Sequence, residues 1–283
     1  MPVLVFGGSS QIGHFLLPRL LARGASVTAL SRRARASQPG LHWLQGQLPD
    51  ALPRELPHPV AIVSFGPLLP FAEWLSRADF GSEPPRVVAT SSMSAETKRD
   101  SGVPAERAIS QQLRDGEQAL AAACARHGAP WTVLRPTLVY GAGLDKSLSP
   151  IARRAWRTRV FPLPAGHGMR QPVHADDIAL AVLAALDCPA SAGRVIPIGG
   201  GERLNAGEMF ARVRQTLPHA NLPVPLPPWL LHAGQRFAPA KLRGPLQRLD
   251  ADLVADNGEL ERLLGVRPRP FQVEAGMWFP AKG

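Results

Sequence analysis

The run Val3-Leu-Val-Phe6 breaks at once into Gly7-Gly8-Ser9-Ser10-Gln11-Ile12-Gly13, and a helical pattern follows over 11–23. That order constrains the fold more than any other feature of the chain. An apolar run without polar alternation predicts a strand covered on both faces. Ile12, Phe15, Leu16 and Leu20 then recur on one helical face. The intervening glycines allow a tight turn and a close approach of backbone to a ligand. The helix start behind them offers free N–H groups and a positive dipole. Strand, glycine turn and helix in this order predict a cradle for a dinucleotide pyrophosphate, held by Gly7, Ser9, Ser10, Gln11, Ile12 and Gly13.

The alternation continues down the chain. Strands are predicted over 25–30, 41–44, 60–65, 86–91 and 131–135, with a seventh at 195–198, and a long Ala-rich helix over 104–127. Strands separated by helices imply right-handed parallel crossovers, hence an α/β fold with a doubly wound parallel sheet of Rossmann type. After Gly141 the texture changes to short helices, frequent Pro and frequent Arg, and residues 217–228 hold five prolines. Such a stretch forms neither a regular helix nor a central strand. The division expected is a dinucleotide-binding domain over 1–200, with 141–172 on the substrate side, and a small C-terminal lobe over 201–283.

The second strand ends in Leu30-Ser31-Arg32-Arg33. An NAD site places Asp or Glu here for the ribose 2′-hydroxyl. A hydroxyl and two guanidinium groups suit a 2′-phosphate instead, so Ser31, Arg32 and Arg33 predict NADP(H), with NAD the alternative. A solvated basic loop, continued by Arg35, is the competing reading.

Composition excludes several classes. Two cysteines, Cys124 and Cys188, make no disulfide framework and no metal-ligand spacing, so a reducing, cytoplasmic compartment and no metal are expected. No apolar run reaches the roughly 20 residues of a membrane span, and no charged leader with a cleavage site is visible. His174 with Asp176 and Asp177 reads as a strand end followed by an acidic helix cap rather than a metal site.

Lys+Arg total 32 against Asp+Glu 22, a formal charge of +10. Arg153, Arg154, Arg157 and Arg159 surround Trp156; Arg170, Lys241, Arg243 and Arg248 follow. A solvated face ranks first for these residues and a cleft for a pyrophosphate second. An anionic lipid surface met through 228–232 ranks third. Nucleic acid ranks last, because no aromatic-plus-basic strand motif is present. A homodimer is compatible with the sequence.

Four segments together resemble the extended branch of the short-chain dehydrogenase/reductase superfamily, the NAD-dependent epimerase/dehydratase group. Gly7 to Gly13 is similar to its GxxGxxG turn, with Ser10 at the middle glycine. Val88-Ala-Thr-Ser91-Ser92 resembles the strand that ends in the active-site serine. Leu134-Arg-Pro-Thr-Leu-Val-Tyr140-Gly141 resembles the LRPxxVYG segment that packs on the nicotinamide. Gly168-Met-Arg-Gln-Pro-Val-His-Ala-Asp-Asp177 resembles the RxxVHVxD segment, whose Arg holds a substrate phosphate. The likeness runs over nearly the whole chain, and residues 250–271 are similar to the tail of sugar-nucleotide epimerase-like members. It implies that Phe65, Gly66, Ser91, Pro136, Thr137 and Leu138 flank the cofactor, and that Arg170 and Gln171 meet a small or nucleotide-linked substrate.

Two departures matter. The family's Tyr-x-x-x-Lys acid/base pair is absent: aligned on Glu117, its two positions hold Ile109 and Leu113, and the chain's one tyrosine, Tyr140, lies in the VYG turn. Gln47 stands where a family member carries an Asp near the adenine. With the tyrosine gone, Ser92 is the group expected to polarise a carbonyl and Lys98 the candidate proton donor, in a 90–98 stretch similar to an atypical SSTSxxTK subgroup. Two functions follow as alternatives. One is an atypical oxidoreductase or epimerase without the usual base. The other is a non-catalytic NADP(H)-binding sensor or assembly protein.

Overall fold

A computed structural model describes residues 1–53, 56–164, 168–226 and 251–280. In chain order the elements begin β1 (Pro2–Phe6), α1 (Gln11–Ala22), β2 (Ser26–Ser31), β3 (Leu41–Gln45), β4 (Ala61–Ser64) and α2 (Leu68–Arg77). There follow β5 (Arg86–Thr90), α3 (Ser94–Thr97), α4 (Pro104–His127), β6 (Trp131–Pro136), β7 (Val139–Tyr140), α5 (Leu148–Thr158) and β8 (Val160–Pro164). Next come β9 (Met169–Arg170), β10 (Val173–His174), α6 (Ala175–Asp187), β11 (Arg194–Ile198), β12 (Leu204–Asn205), α7 (Ala206–Gln215), β13 (Leu222–Leu226) and α8 (Gly258–Leu264).

Seven strands form one parallel sheet in the order β11-β6-β5-β4-β1-β2-β3. The Rossmann expectation holds. Strand order reverses between β1 and β4, and the crevice at that reversal, beyond the carboxyl ends of the strands, is where such sheets take ligands. Side-chain alternation divides the strands between two cores. Val3, Val5, Val27, Ala29, Val63, Val88 and Leu134 pack with α1 and α6 on one face. Leu4, Phe6, Ile62, Val87, Ala89 and Val133 pack with α2 and α4 on the other. Because both faces are covered, the strands are apolar throughout, which is why their sequence lacks alternation.

Helix α2 is not anticipated above. Pro67 and Pro70 bracket its start and mask the pattern, yet Pro70 lies in the first turn, where its missing N–H costs nothing. The proline-rich 217–228 stretch holds β13, paired in parallel with β8 in a separate two-stranded ladder away from the central sheet.

A third core gathers Tyr140, Leu148, Phe161, Met209, Phe210, Phe271 and Trp278, joining α5 and α7 to the C-terminal residues. Helix α8 returns to the first core through Leu260 and Leu264. Among the described residues no helix is long and apolar enough to cross a membrane. The segment 228–232 and Lys241, Arg243 and Arg248, invoked for a lipid surface, lie outside the described residues. Of the remaining basic cluster, Arg154, Arg157 and Arg159 are exposed, whereas Arg153 donates to the carbonyls of Gly143 at 2.7 Å and Trp278 at 3.1 Å.

Candidate dinucleotide site

The turn between β1 and α1 is built by close contacts. Gly7 has φ +74. A Cβ on Gly13 would stand 2.1 Å from the Gly8 carbonyl oxygen, so only glycine lets the helix start this near the turn. Ser10 caps α1, its hydroxyl accepting the Gly13 N–H at 3.1 Å, and no acidic residue occupies the first turn. The remaining N–H groups and the helix dipole face the crevice as an anion site.

A cavity of about 1090 Å³ opens there. Gly7, Ser9, Ser10 and Gln11 form one wall; Leu30, Ser31, Arg32, Gln47, Leu48 and Leu52 line one end. Phe65, Gly66, Pro67, Pro70, Leu138, Val139 and residues 144–147 also belong to the lining. A dinucleotide needs a glycine cradle, a ribose end and an apolar slot in one continuous cavity, and these residues fit it.

The expected cofactor residues therefore divide. Gly7, Ser9, Ser10, Gln11, Ser31, Arg32, Phe65, Gly66 and Leu138 line the cavity. Ile12 and Gly13 are buried behind the turn. Arg33 is exposed off the lining, its N–H donating to Ser31 Oγ at 3.2 Å. Pro136 accepts the Met93 N–H at 2.9 Å, and the Thr137 hydroxyl donates to the Gln171 carbonyl. Neither of these two residues lines the cavity. Gln47 lines the cavity while its backbone pairs with Ala51.

At the strand ends, the hydroxyls of Ser64 and Ser91 are buried without a hydrogen-bond partner among the described residues. Neither residue lines the cavity. Ser92 Oγ accepts the Ser94 N–H at 3.1 Å. Lys98 is buried, its Nζ 3.9 Å from Glu106 Oε1, and Ser101 Oγ donates to Glu106 Oε2 at 2.8 Å. Ile109 is 40% exposed and Leu113 half-buried. Glu117, the register residue on α4, takes Arg135 at 2.8 Å through Nε, while Arg135 Nη1 reaches Glu96 at 2.6 Å.

Arg170 and Gln171, expected at a substrate anion, have other partners. Both are buried and neither lines the cavity. Arg170 donates to the carbonyls of Met169 and Ala251. Gln171 donates to the Gly200 carbonyl at 2.8 Å and accepts the Ala255 N–H at 2.8 Å. These bonds tie Ala251 and Ala255 to Arg170 and Gln171.

His174 caps α6 in place of the acidic residues expected there. Its Nδ1 accepts the Asp176 N–H at 3.1 Å, and the ring stands edge-on to Tyr140 with centroids 5.1 Å apart. Asp176 instead takes Arg19 at 2.7 and 2.9 Å and Arg269 at 2.9 Å. Burial pushes the Asp176 carboxyl up, but the two guanidinium groups outweigh it and hold it below the usual carboxylate range. Burial, then the Arg269 charge, holds the His174 imidazole below its ordinary value. Tyr140 is fully buried against Phe271 and His174, and burial raises its phenol well above the ordinary range. It is a packing residue here.

Residues 107–199 match the NAD dependent epimerase/dehydratase family. A curated UDP-glucose 4-epimerase of Vibrio cholerae is 24% identical over 140 residues, 48% of this chain, which spans 41% of that protein's length. The crystal structure of UDP-glucose 4-epimerase with UDP-glucose from Thermotoga maritima superposes with a TM-score of 0.70 at 16% identity, covering 98% of this chain and 96% of that one. UDP-glucuronic acid 4-epimerase from Bacillus cereus, in complex with UDP-glucuronic acid and NAD, gives 0.69 at 14% identity, covering 98% and 96%. At such identities the structural likeness is one of fold. The chain is thus similar, in fold over nearly its whole length and in sequence over 107–199, to the sugar-nucleotide epimerases and dehydratases of the extended short-chain dehydrogenase/reductase type.

Proposed function

We propose that the chain is a dinucleotide-dependent oxidoreductase or epimerase-like enzyme acting on a small or nucleotide-linked substrate, with NADP(H) preferred and no Tyr/Lys base. The observation that carries this reading is the cavity's charge. Ser31 and Arg32 line it where an NAD site carries a carboxylate. Among the described residues the lining holds two cations, Arg32 and Lys146, against one acid, Asp145, which accepts the N–H groups of Ser147, Leu148 and Ser149. A bound dinucleotide would supply a hydride donor or acceptor. The Arg32 guanidinium and Ser31 hydroxyl donate to a ribose 2′-phosphate. In this reading Ser92 orients a carbonyl and Lys98, held beside Glu106, delivers the proton, which requires a substrate that reaches beyond the cavity, since neither residue lines it. The substrate class is taken from the relatives named above for UDP-sugars.

Fluorescence titration with NADPH and NADH tests the cofactor assignment. The expected result is at least about tenfold tighter NADPH, a difference of roughly 1.4 kcal/mol. Equal affinities return the assignment to NAD. The second reading, a non-catalytic NADP(H)-binding protein, is favoured by the burial of Lys98 and its absence from the cavity lining. Incubation with a panel of UDP-sugars, followed by product chromatography, separates the two. Turnover that Lys98→Met abolishes supports the enzyme; binding without turnover across the panel supports the sensor.

A further inference from the structure

The loop after β7 carries a cation that the sequence motifs do not single out. Lys146 lines the cavity together with Leu144, Asp145 and Ser147, and it makes no ion pair among the described residues. We infer that Lys146 is a diphosphate ligand of the dinucleotide, held at the cavity lining by a preorganised loop that is tied to the start of α1. The inference rests on the dinucleotide reading of this cavity.

Three observations carry it. First, the loop is tied to the anion end of α1. The Ala142 N–H donates to the side-chain oxygen of Gln11, the first residue of that helix, at 3.2 Å. Lys146 follows four positions later. Second, the loop is rigidly placed. The Gly143 carbonyl accepts Arg153 at 2.7 Å, and a Cβ on Gly143 would stand 2.4 Å from the Phe279 backbone. Asp145 Oδ1 accepts the N–H groups of Ser147 at 2.9 Å, Leu148 at 2.6 Å and Ser149 at 3.0 Å. Third, that capping and the Ser149 hydroxyl commit both oxygens of Asp145 to its own loop, and the carboxylate makes no ion pair with Lys146. Among the described residues the cations lining the cavity are Arg32, at the end of β2, and Lys146, in the loop after β7.

The two cations have separable duties. A lysine is a point charge suited to a diphosphate, and its contribution is the same whether or not the ribose carries a phosphate. Arg32 contributes only to the 2′-phosphate. A nucleotide-linked sugar also carries a diphosphate, so binding of UDP-glucose must be measured beside that of the dinucleotides.

The test is calorimetric or fluorescence titration of the full chain with NADPH, NADH and UDP-glucose, in wild type, Lys146→Ala, Lys146→Arg and Arg32→Ala. Expected for Lys146→Ala is a loss of about three- to tenfold for NADPH and NADH alike, shrinking as salt rises, with an unchanged melting temperature. Lys146→Arg restores affinity, and Arg32→Ala weakens NADPH alone. Unchanged dinucleotide binding in Lys146→Ala, or a loss confined to UDP-glucose, overturns the inference and leaves the cavity reading standing. A wild-type chain that binds neither dinucleotide overturns the cavity reading, and the inference falls with it.

Discussion

The side-chain oxygen of Gln11 accepts the backbone N–H of Ala142 at 3.2 Å across 131 positions of sequence. This bond ties the first helix to the loop after β7, and both line the candidate cavity. Gln11 is buried, and so is the amide it satisfies. Replacing it with Ala leaves that amide without a partner, at a cost of about 1–3 kcal/mol. Urea unfolding of Gln11→Ala is expected to show that loss, with weakened NADPH binding alongside it. Stability and affinity both at wild-type values would remove the bond's structural role.

Gly13→Ala places a methyl group against the Gly8 carbonyl oxygen, where no flexible side chain is available to yield. The helix start must move off the turn, so dinucleotide binding is expected to disappear while the circular dichroism stays α/β. Gly102→Ala, whose Cβ would meet nothing within 4 Å, is the control and should stay within about 0.5 kcal/mol of wild type.

Ser31→Asp combined with Arg32→Ala restores a carboxylate at the end of β2 and removes the guanidinium. The double variant is expected to reverse the preference toward NADH, a carboxylate being able to accept from a free 2′-hydroxyl and repelling a 2′-phosphate. Retained preference for NADPH would place the 2′-phosphate elsewhere.

His174 and Asp176 make stability fall on acidification. Both have folded-state values depressed below the ordinary ones, 6.5 for the imidazole and 3.8 for the carboxyl. The contribution of each is complete above its ordinary value and is lost as pH falls through the lower folded value. Protonated Nδ1 cannot accept the Asp176 N–H, so the first loss begins below about 6.5, with a slope of up to roughly 1.4 kcal/mol per pH unit for one proton. His174→Asn keeps a capping acceptor and removes this proton. Its urea midpoints should run flatter between pH 6.5 and 5 than those of wild type. An unaltered slope would assign the acid sensitivity to other groups.

Much of the fold is legible locally. Val3-Leu-Val-Phe6 and 11–23 announce a strand and a helix because their apolar spacing is the spacing of those elements. Helix α4 matches its predicted bounds, with Pro104 at its first turn and Gly128 at φ +66 closing it. Helix α2 is not legible, because two prolines near its start imitate a loop. In the site, Ser9, Gln11, Ser31 and Arg32 are visible as types suited to phosphate and ribose at the ends of predicted strands. For Arg170 the motif states the residue type and not the direction of its side chain. The carbonyl of Ala251 that it meets lies 81 positions away.

The sequence by itself determines the parallel α/β sheet, the glycine cradle and the absence of any tyrosine from α4, since each depends on residue identity and near-neighbour spacing. Only the tertiary structure decides that Arg170 stitches the C-terminal segment, that His174 rather than Asp176 caps α6, and that Lys146 stands at the cavity wall. Those facts depend on which distant segments meet. Packing of two cores and a third cluster settles such meetings, and no local pattern encodes them.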